Sequence, residues 1–320
     1  MTCLNDIEQS YKRINKIINK TSVLTSRTLD KIVGANVFLK CENFQRVGAF
    51  KFRGVSNKLL QLNPDEKKRG IVAHSSGNHA QAVALASSLL GIKSVIVMPK
   101  NAPKVKVDAT RGYNAKIVRC GNSVKSREET CKDLAKKHGY TIVHPYDDYQ
   151  IIAGAGTAAL ELIKEVGTID YIFSPIGGGG LISGTAIATK GLCPDSKVIG
   201  VEPKKADDAY RSFKDGKLYP SVYPDTIADG LRTSLSKKTF DIILKNVDDI
   251  ITVSENEIID AMKFLWTRLK IVVEPSGVVS LAGLLSINKD IINKKIGVIL
   301  SGGNIDLDEF FNSYYNILNK

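Results

Sequence analysis

The chain has 320 residues, 43% of them hydrophobic and 24% charged, with a mean hydropathy near zero; this is the composition of a soluble globular protein and it excludes disordered and fibrous classes. The length exceeds the roughly 250–300 residues that a single hydrophobic core fills, so two domains or lobes are expected. The formal charge of +12 sits in short mixed runs such as Glu66-Lys67-Lys68-Arg69, with no basic stripe interleaved with aromatics, which argues against nucleic acid as a partner and leaves anionic small molecules.

Short β-branched runs predict strands at residues 37–40, 71–73, 94–97, 116–118, 171–173, 198–201 and 296–300. Apolar spacing predicts helices at 78–90, 125–137, 153–165, 255–270 and 276–287. Strands that alternate with helices predict α/β units with open parallel sheets and helices on both faces. Three strands stop abruptly at small residues before a helix or loop: Ser75-Ser76-Gly77-Asn78-His79, Gly177-Gly178-Gly179-Gly180 and Ser301-Gly302-Gly303-Asn304. In parallel sheets ligands bind at such strand ends, so the three are expected to face one crevice.

No stretch approaches the roughly 20 apolar residues that span a bilayer, and the opening Met1-Thr2-Cys3-Leu4-Asn5-Asp6-Ile7-Glu8 lacks the layout of a secretory signal. A cytoplasmic protein without membrane partners is expected. Cys3, Cys41, Cys120, Cys131 and Cys193 are scattered and never form Cys-x-x-Cys, so neither a disulfide framework nor a zinc ribbon is implied. No two of His74, His79, His138 and His144 have metal-ligand spacing.

Four consecutive glycines remove every β-carbon from a turn and let several N–H groups approach one anion at a helix start. Neither the dinucleotide fingerprint nor a Walker loop fits them, and a merely flexible turn is the alternative. Lys51, in Gly48-Ala49-Phe50-Lys51-Phe52-Arg53-Gly54, is flanked by two phenylalanines; desolvation would lower its amine pKa toward that of an imine-forming nucleophile. A surface lysine with a buried stem is its alternative. Glu202 and Asp208, six residues apart, suit a hard cation with an intervening carbonyl, or are two solvated acids.

These motifs in this order, with Glu202-Pro203 through Asp208 and Thr226-Ile227-Ala228-Asp229-Gly230, resemble the pyridoxal-phosphate enzymes of the tryptophan-synthase β type (fold type II). Within them the chain is most similar to the eukaryotic serine racemases of the serine/threonine dehydratase group. The resemblance covers nearly the whole chain. It implies a large cofactor-binding domain from residues 1–69 and 148–320, a small domain from 70–147, and a homodimer.

By this resemblance Lys51 anchors pyridoxal 5'-phosphate and then acts as base on one face of the substrate Cα. Phe50 packs on the cofactor ring, Asn78 faces its 3′ oxygen, Gly177, Gly178, Gly179 and Gly180 hold the phosphate, and Ser301 faces the pyridine nitrogen. A neutral hydroxyl there makes a weaker electron sink than an aspartate would. Ser76 matches the acid on the opposite face, although a serine at a helix start also serves as an N-cap. Ser75, Ser76, Asn78, His79 and Arg127 match substrate contacts, with packing or surface roles open for His79 and Arg127.

The resemblance also implies Mg2+ or Ca2+ at Glu202, Asp208 and the Ala206 carbonyl. It implies ATP as an activator at Ser26, Arg27, Lys106 and Asn304, where Arg27 replaces a residue that is commonly small. Tyr146 replaces an asparagine of the animal enzymes and Thr233 a serine, both near the substrate. The expected activity is interconversion of L- and D-serine with elimination of serine to pyruvate and ammonia. A dehydratase of serine, threonine or threo-3-hydroxyaspartate, and a catalytically silent phosphate-ligand binder, are the rivals.

Overall fold

A computed structural model describes residues 2–102, 104–287, 291–308 and 310–312. In chain order its helices and strands are α1 (Leu4–Ile14), β1 (Val23–Leu24), α2 (Arg27–Val33), β2 (Asn36–Cys41), α3 (Lys51–Leu60), α4 (Pro64–Arg69), β3 (Ile71–His74), α5 (Asn78–Leu89), β4 (Ser94–Pro99), α6 (Lys104–Gly112), β5 (Lys116–Cys120), α7 (Val124–His138) and β6 (Thr141–Ile142). There follow α8 (Tyr149–Val166), β7 (Tyr171–Pro175), α9 (Gly180–Leu192), β8 (Lys197–Pro203), α10 (Asp208–Asp215), α11 (Lys237–Asn246), β9 (Asp249–Val253), α12 (Glu255–Phe264), α13 (Pro275–Ser286) and β10 (Lys295–Leu300). Every strand and helix read from the sequence is present, and α12 runs on through a π turn over Leu265–Leu269.

The strands form two sheets. One has six strands in the order β1-β2-β10-β7-β8-β9 and the other four, β5-β4-β3-β6. All pairs are parallel except β1 with β2. Central strands such as β4 and β10 read as nearly unbroken apolar runs because helices cover both faces, which is the rule for parallel sheets. Polar caps start several helices: the Asp148 carboxylate accepts from the Gln150 N–H ahead of α8, and Ser254 and Glu257 form a capping box on α12.

Helices α3, α8 and α9 approach one another through glycine. A Cβ on Gly54 would lie 2.7 Å from the Ile151 carbonyl oxygen, and one on Gly154 would lie 2.7 Å from that of Arg53. Beneath α3 and α8 lies a fully buried set of charges. Arg53 of α3 donates to Glu42 (2.6 and 2.9 Å) and to Glu161 of α8 (2.9 and 2.7 Å), and Lys40 of β2 donates to Glu161 at 2.7 Å. The Thr21 hydroxyl donates to Glu42 at 2.6 Å and the Thr21 carbonyl accepts from Lys40 at 2.8 Å, so two acids and two bases balance with their hydrogen bonds satisfied.

Among the described residues no helix is long and apolar enough to cross a membrane. All five cysteines are free, Cys3 exposed and the others buried. Arg53→Met leaves Glu42 and Glu161 facing Lys40 alone, and is expected to lower unfolding stability by about 3–5 kcal/mol. Urea denaturation of both proteins measures this, and a loss below about 1 kcal/mol would show that the charges are solvated in the native state.

Candidate active site

The three strand-end junctions converge. A cavity of about 230 Å³ is lined by Phe50 and Lys51, by Ser75, Ser76, Gly77, Asn78 and His79 after β3, by Gly178 after β7, and by Ser301 after β10. Two backbone contacts bring the Lys51 turn against the end of β10. Phe50 N–H donates to the Ser301 carbonyl at 3.1 Å, and Gly303 N–H to the Gly48 carbonyl at 2.9 Å. Residues 251 and 255 positions apart in sequence thereby share one wall.

Lys51 opens α3, its amine donating to the Pro145 carbonyl at 3.0 Å and lying 5.0 Å from the centre of the Phe50 ring. Burial without a counter-ion lowers its amine to about 8, so roughly a tenth of it is neutral at pH 7, far more than for a free lysine. The surface-lysine alternative is therefore not what the fold adopts. The Ser75 hydroxyl accepts from Gly77 N–H at 3.2 Å. Ser76 does not cap α5: the N-cap position is Gly77, and no side chain caps that helix.

Three histidines surround this centre and burial keeps them neutral. His79, whose ring Nε2 pairs with the Val143 carbonyl at 2.9 Å, is held well below the usual imidazole range. His144 is lowered to about 4, and its Nδ1 accepts from the N–H groups of Tyr146 and Asp147 at 3.3 and 2.9 Å. His74 is lowered as well. Arg127 of α7 lines the cavity, and its buried Nε has no hydrogen-bond partner.

The glycine run is a cradle with no room for side chains. Gly179 has φ +84°, and a Cβ on it would meet Thr239 Cβ at 2.7 Å; one on Gly177 would meet the Gly230 carbonyl oxygen at 3.2 Å; one on Gly178 would collide with the Tyr146 ring. Its backbone N–H groups lead into the 13-residue helix α9, whose N-terminal dipole favours an anion. A desolvated amine, a Cβ-free anion cradle and a polar cavity between them fit pyridoxal phosphate. Tyr146 seals one side, its hydroxyl 3.1 Å from that of Thr233.

Sequence reading missed Glu274. It is 4% exposed, lines the same cavity, and accepts from Asn78 Nδ2 at 2.7 Å. Burial raises its carboxyl to about 8. In sequence it is one acid before Pro275 at a helix start, a pattern that predicts a cap and nothing more.

Glu202 and Asp208 are placed apart from this cavity, at the end of β8 and the start of α10, and both are fully buried. Glu202 accepts from Ala209 and Tyr210 N–H at 3.1 and 2.8 Å. Burial and then the neighbouring Asp208 raise it well above the carboxylate range. Burial raises Asp208 to about 6 against pulls from Ser221 and the Leu235 backbone, although neither of its oxygens has a partner of hydrogen-bond geometry. These are not solvated acids, and a pair of buried carboxylates short of donors fits a hard cation.

Lys106 and Asn304 line a second cavity of about 430 Å³ that shares Ser76, Lys106, Arg127, Asp229 and Arg232 with the first. Lys106 pairs with Asp229 at 2.6 Å. The Asn304 amide donates to the Val47 carbonyl at 2.6 Å and to Asn78 Oδ1 at 2.9 Å. Ser26 caps α2 and Arg27 is exposed; neither lines that cavity.

Residues 14–302 match the model of the family described as pyridoxal-phosphate dependent enzymes. The chain is 47% identical to "L-threo-3-hydroxyaspartate ammonia-lyase" of Saccharomyces cerevisiae over 95% of its own length and 94% of that protein. It is also 47% identical to "Serine racemase" of Schizosaccharomyces pombe over 96% and 95%. The solved structure of maize serine racemase superposes with a TM-score of 0.94 at 42% identity, covering 99% of this chain and 98% of that one. Motif order, cavity chemistry and these likenesses agree that the chain belongs to the pyridoxal-phosphate-dependent enzyme family, with its fold type II architecture.

Proposed function

We propose that this protein is a serine racemase that also eliminates serine to pyruvate and ammonia. The observation that carries this reading is that Lys51 and Ser76, on different elements, line one cavity, with the Ser76 hydroxyl not engaged in capping α5. Pyridoxal phosphate, when bound, supplies a sink for the electron pair left at Cα. Residues 70–147 form the smaller lobe around the four-stranded sheet, and residues 1–69 with 148–320 the larger.

Lys51 would anchor the cofactor covalently, and its free amine would remove the Cα proton on its own face. A single residue returning its own proton preserves configuration, so racemisation requires a second donor. Ser76 supplies it from the other face, in a site that must stabilise its developing alkoxide. Phe50, the glycine cradle and Ser301 would hold the cofactor, with the cradle taking its phosphate. Ser75, Asn78, His79 and Arg127 orient the substrate carboxylate.

A second reading, dehydration of L-threo-3-hydroxyaspartate, is favoured by Arg127. Its unpartnered buried nitrogen and its place on both cavities offer a cationic contact for a second carboxylate. Glu202, Asp208 and the Ala206 carbonyl would hold Mg2+ or Ca2+ in either reading, away from the reacting atoms.

Incubation with L-serine, magnesium and pyridoxal phosphate is expected to yield D-serine and pyruvate together; pyruvate without D-serine would favour the dehydratase. Lys51→Ala should abolish both products and leave no cofactor fixed by borohydride. Ser76→Ala should remove D-serine formation by at least about a hundredfold, within the range assigned to a positioned acid or base, while sparing much of the pyruvate. Equal loss of both products would remove Ser76 from its assigned face. Asp208→Ala should make activity indifferent to added magnesium and to chelator, and full wild-type activity in chelator would dismiss the cation.

A further inference from the structure

Glu274 is a buried carboxyl in the wall of the active cavity with no ion-pair partner among the described residues. It stands at the N-cap of α13, before Pro275. Its Oε1 accepts from Asn78 Nδ2 at 2.7 Å, and Asn78 Oδ1 accepts in turn from Asn304 Nδ2 at 2.9 Å. A Cβ on Gly302 would collide with Oε1, so the carboxyl is wedged between α5 and the loop after β10. Asn78 is thereby oriented: its carbonyl and one N–H are used, and one N–H is left.

We propose that Glu274 is a positioning residue kept uncharged so that the site accepts anions. Neutral, it fixes Asn78 with its remaining N–H available to a ligand. Ionised, it would set a buried negative charge against a phosphorylated cofactor and a carboxylate substrate, in a wall where such repulsion is little screened. The proposal rests on the cofactor reading above and adds a residue to it.

The surroundings decide where the charge appears. Burial opposes it most and holds the carboxyl at about 8. Asp229, on the 3-10 turn Asp229–Leu231, opposes it further, whereas the hydrogen bond from Asn78, then Lys106 of α6 and the Asn304 backbone, favour it without outweighing burial. Asp229 and Lys106 pair with each other at 2.6 Å and largely cancel. On α5 the neighbour His79 is neutral, and farther round the cavity stand Lys51, His74, Arg127, Glu128 and Arg232.

The test is the dissociation constant of pyridoxal phosphate from refilled apoenzyme, read from the cofactor absorbance between pH 7 and 9, in wild type, Glu274→Gln and Asp229→Asn. Lys51 and the cofactor titrate in all three proteins, so the comparison between them isolates Glu274. With a carboxyl at about 8, the wild-type affinity relative to Glu274→Gln should fall about tenfold from pH 7 to pH 9. Asp229→Asn removes a charge that opposes ionisation and unmasks Lys106, so its break should move to lower pH. A wild-type to Glu274→Gln ratio that is constant with pH overturns the proposal, as does an unmoved break in Asp229→Asn. If Glu274→Gln does not fold, the position of the break in Asp229→Asn decides alone. Wild type that binds no cofactor at pH 7 would overturn the cofactor reading and this proposal together, whereas normal binding without the pH break overturns only the proposal.

Discussion

The active site depends on four buried charges that no ligand touches. Arg53 and Lys40 face Glu42 and Glu161 with no exposure above 3%, and they join β2, α3 and α8 at one point. Such a set is a poor source of net stability compared with apolar packing, but it tolerates only one arrangement, because any shift leaves a charge unpaired in a dry interior. Lys51 lies two residues from Arg53 on the same helix. Fixing the first turn of α3 therefore fixes where the reactive amine begins.

Desolvation is also the common cause of the site's protonation states. Lys51, His79 and His144 are shifted toward their neutral forms by burial before any neighbour acts. Glu274 and the Tyr146 phenol are shifted the same way. A chain with a formal charge of +12 thus encloses a site in which several buried groups are shifted toward their neutral forms. The backbone cradle, Arg127, Lys106 and Arg232 stand around it as positive features for an incoming anion.

Much of this was legible in sequence. Parallel strands buried on both faces announce themselves as apolar runs, and the strand-to-glycine junctions stood out because few other chemistries want four glycines together. Two-residue strands such as β1 and β6 carry no alternation to detect. Helices α1, α10 and α11 have 11, 8 and 10 residues, so each offers only two or three turns of periodicity to read. The helix cap suggested for Ser76 was wrong because Gly77 occupies that position, a distinction of one residue that composition does not make. Glu274 was invisible because its meaning lies in burial beside Asn78, 196 residues away.

The strand order carries a further consequence for synthesis. β10 is the last strand among the described residues, yet it lies between β2 and β7 in the middle of the six-stranded sheet. Until residues 295–300 have left the ribosome, β1 and β2 are separated from β7, β8 and β9, and each group exposes an unpaired parallel edge. The same late strand delivers Ser301 to the cavity. The larger sheet and its site are therefore completed together when β10 emerges, and the interval before that is when the nascent chain is most open to edge-to-edge association or to a chaperone.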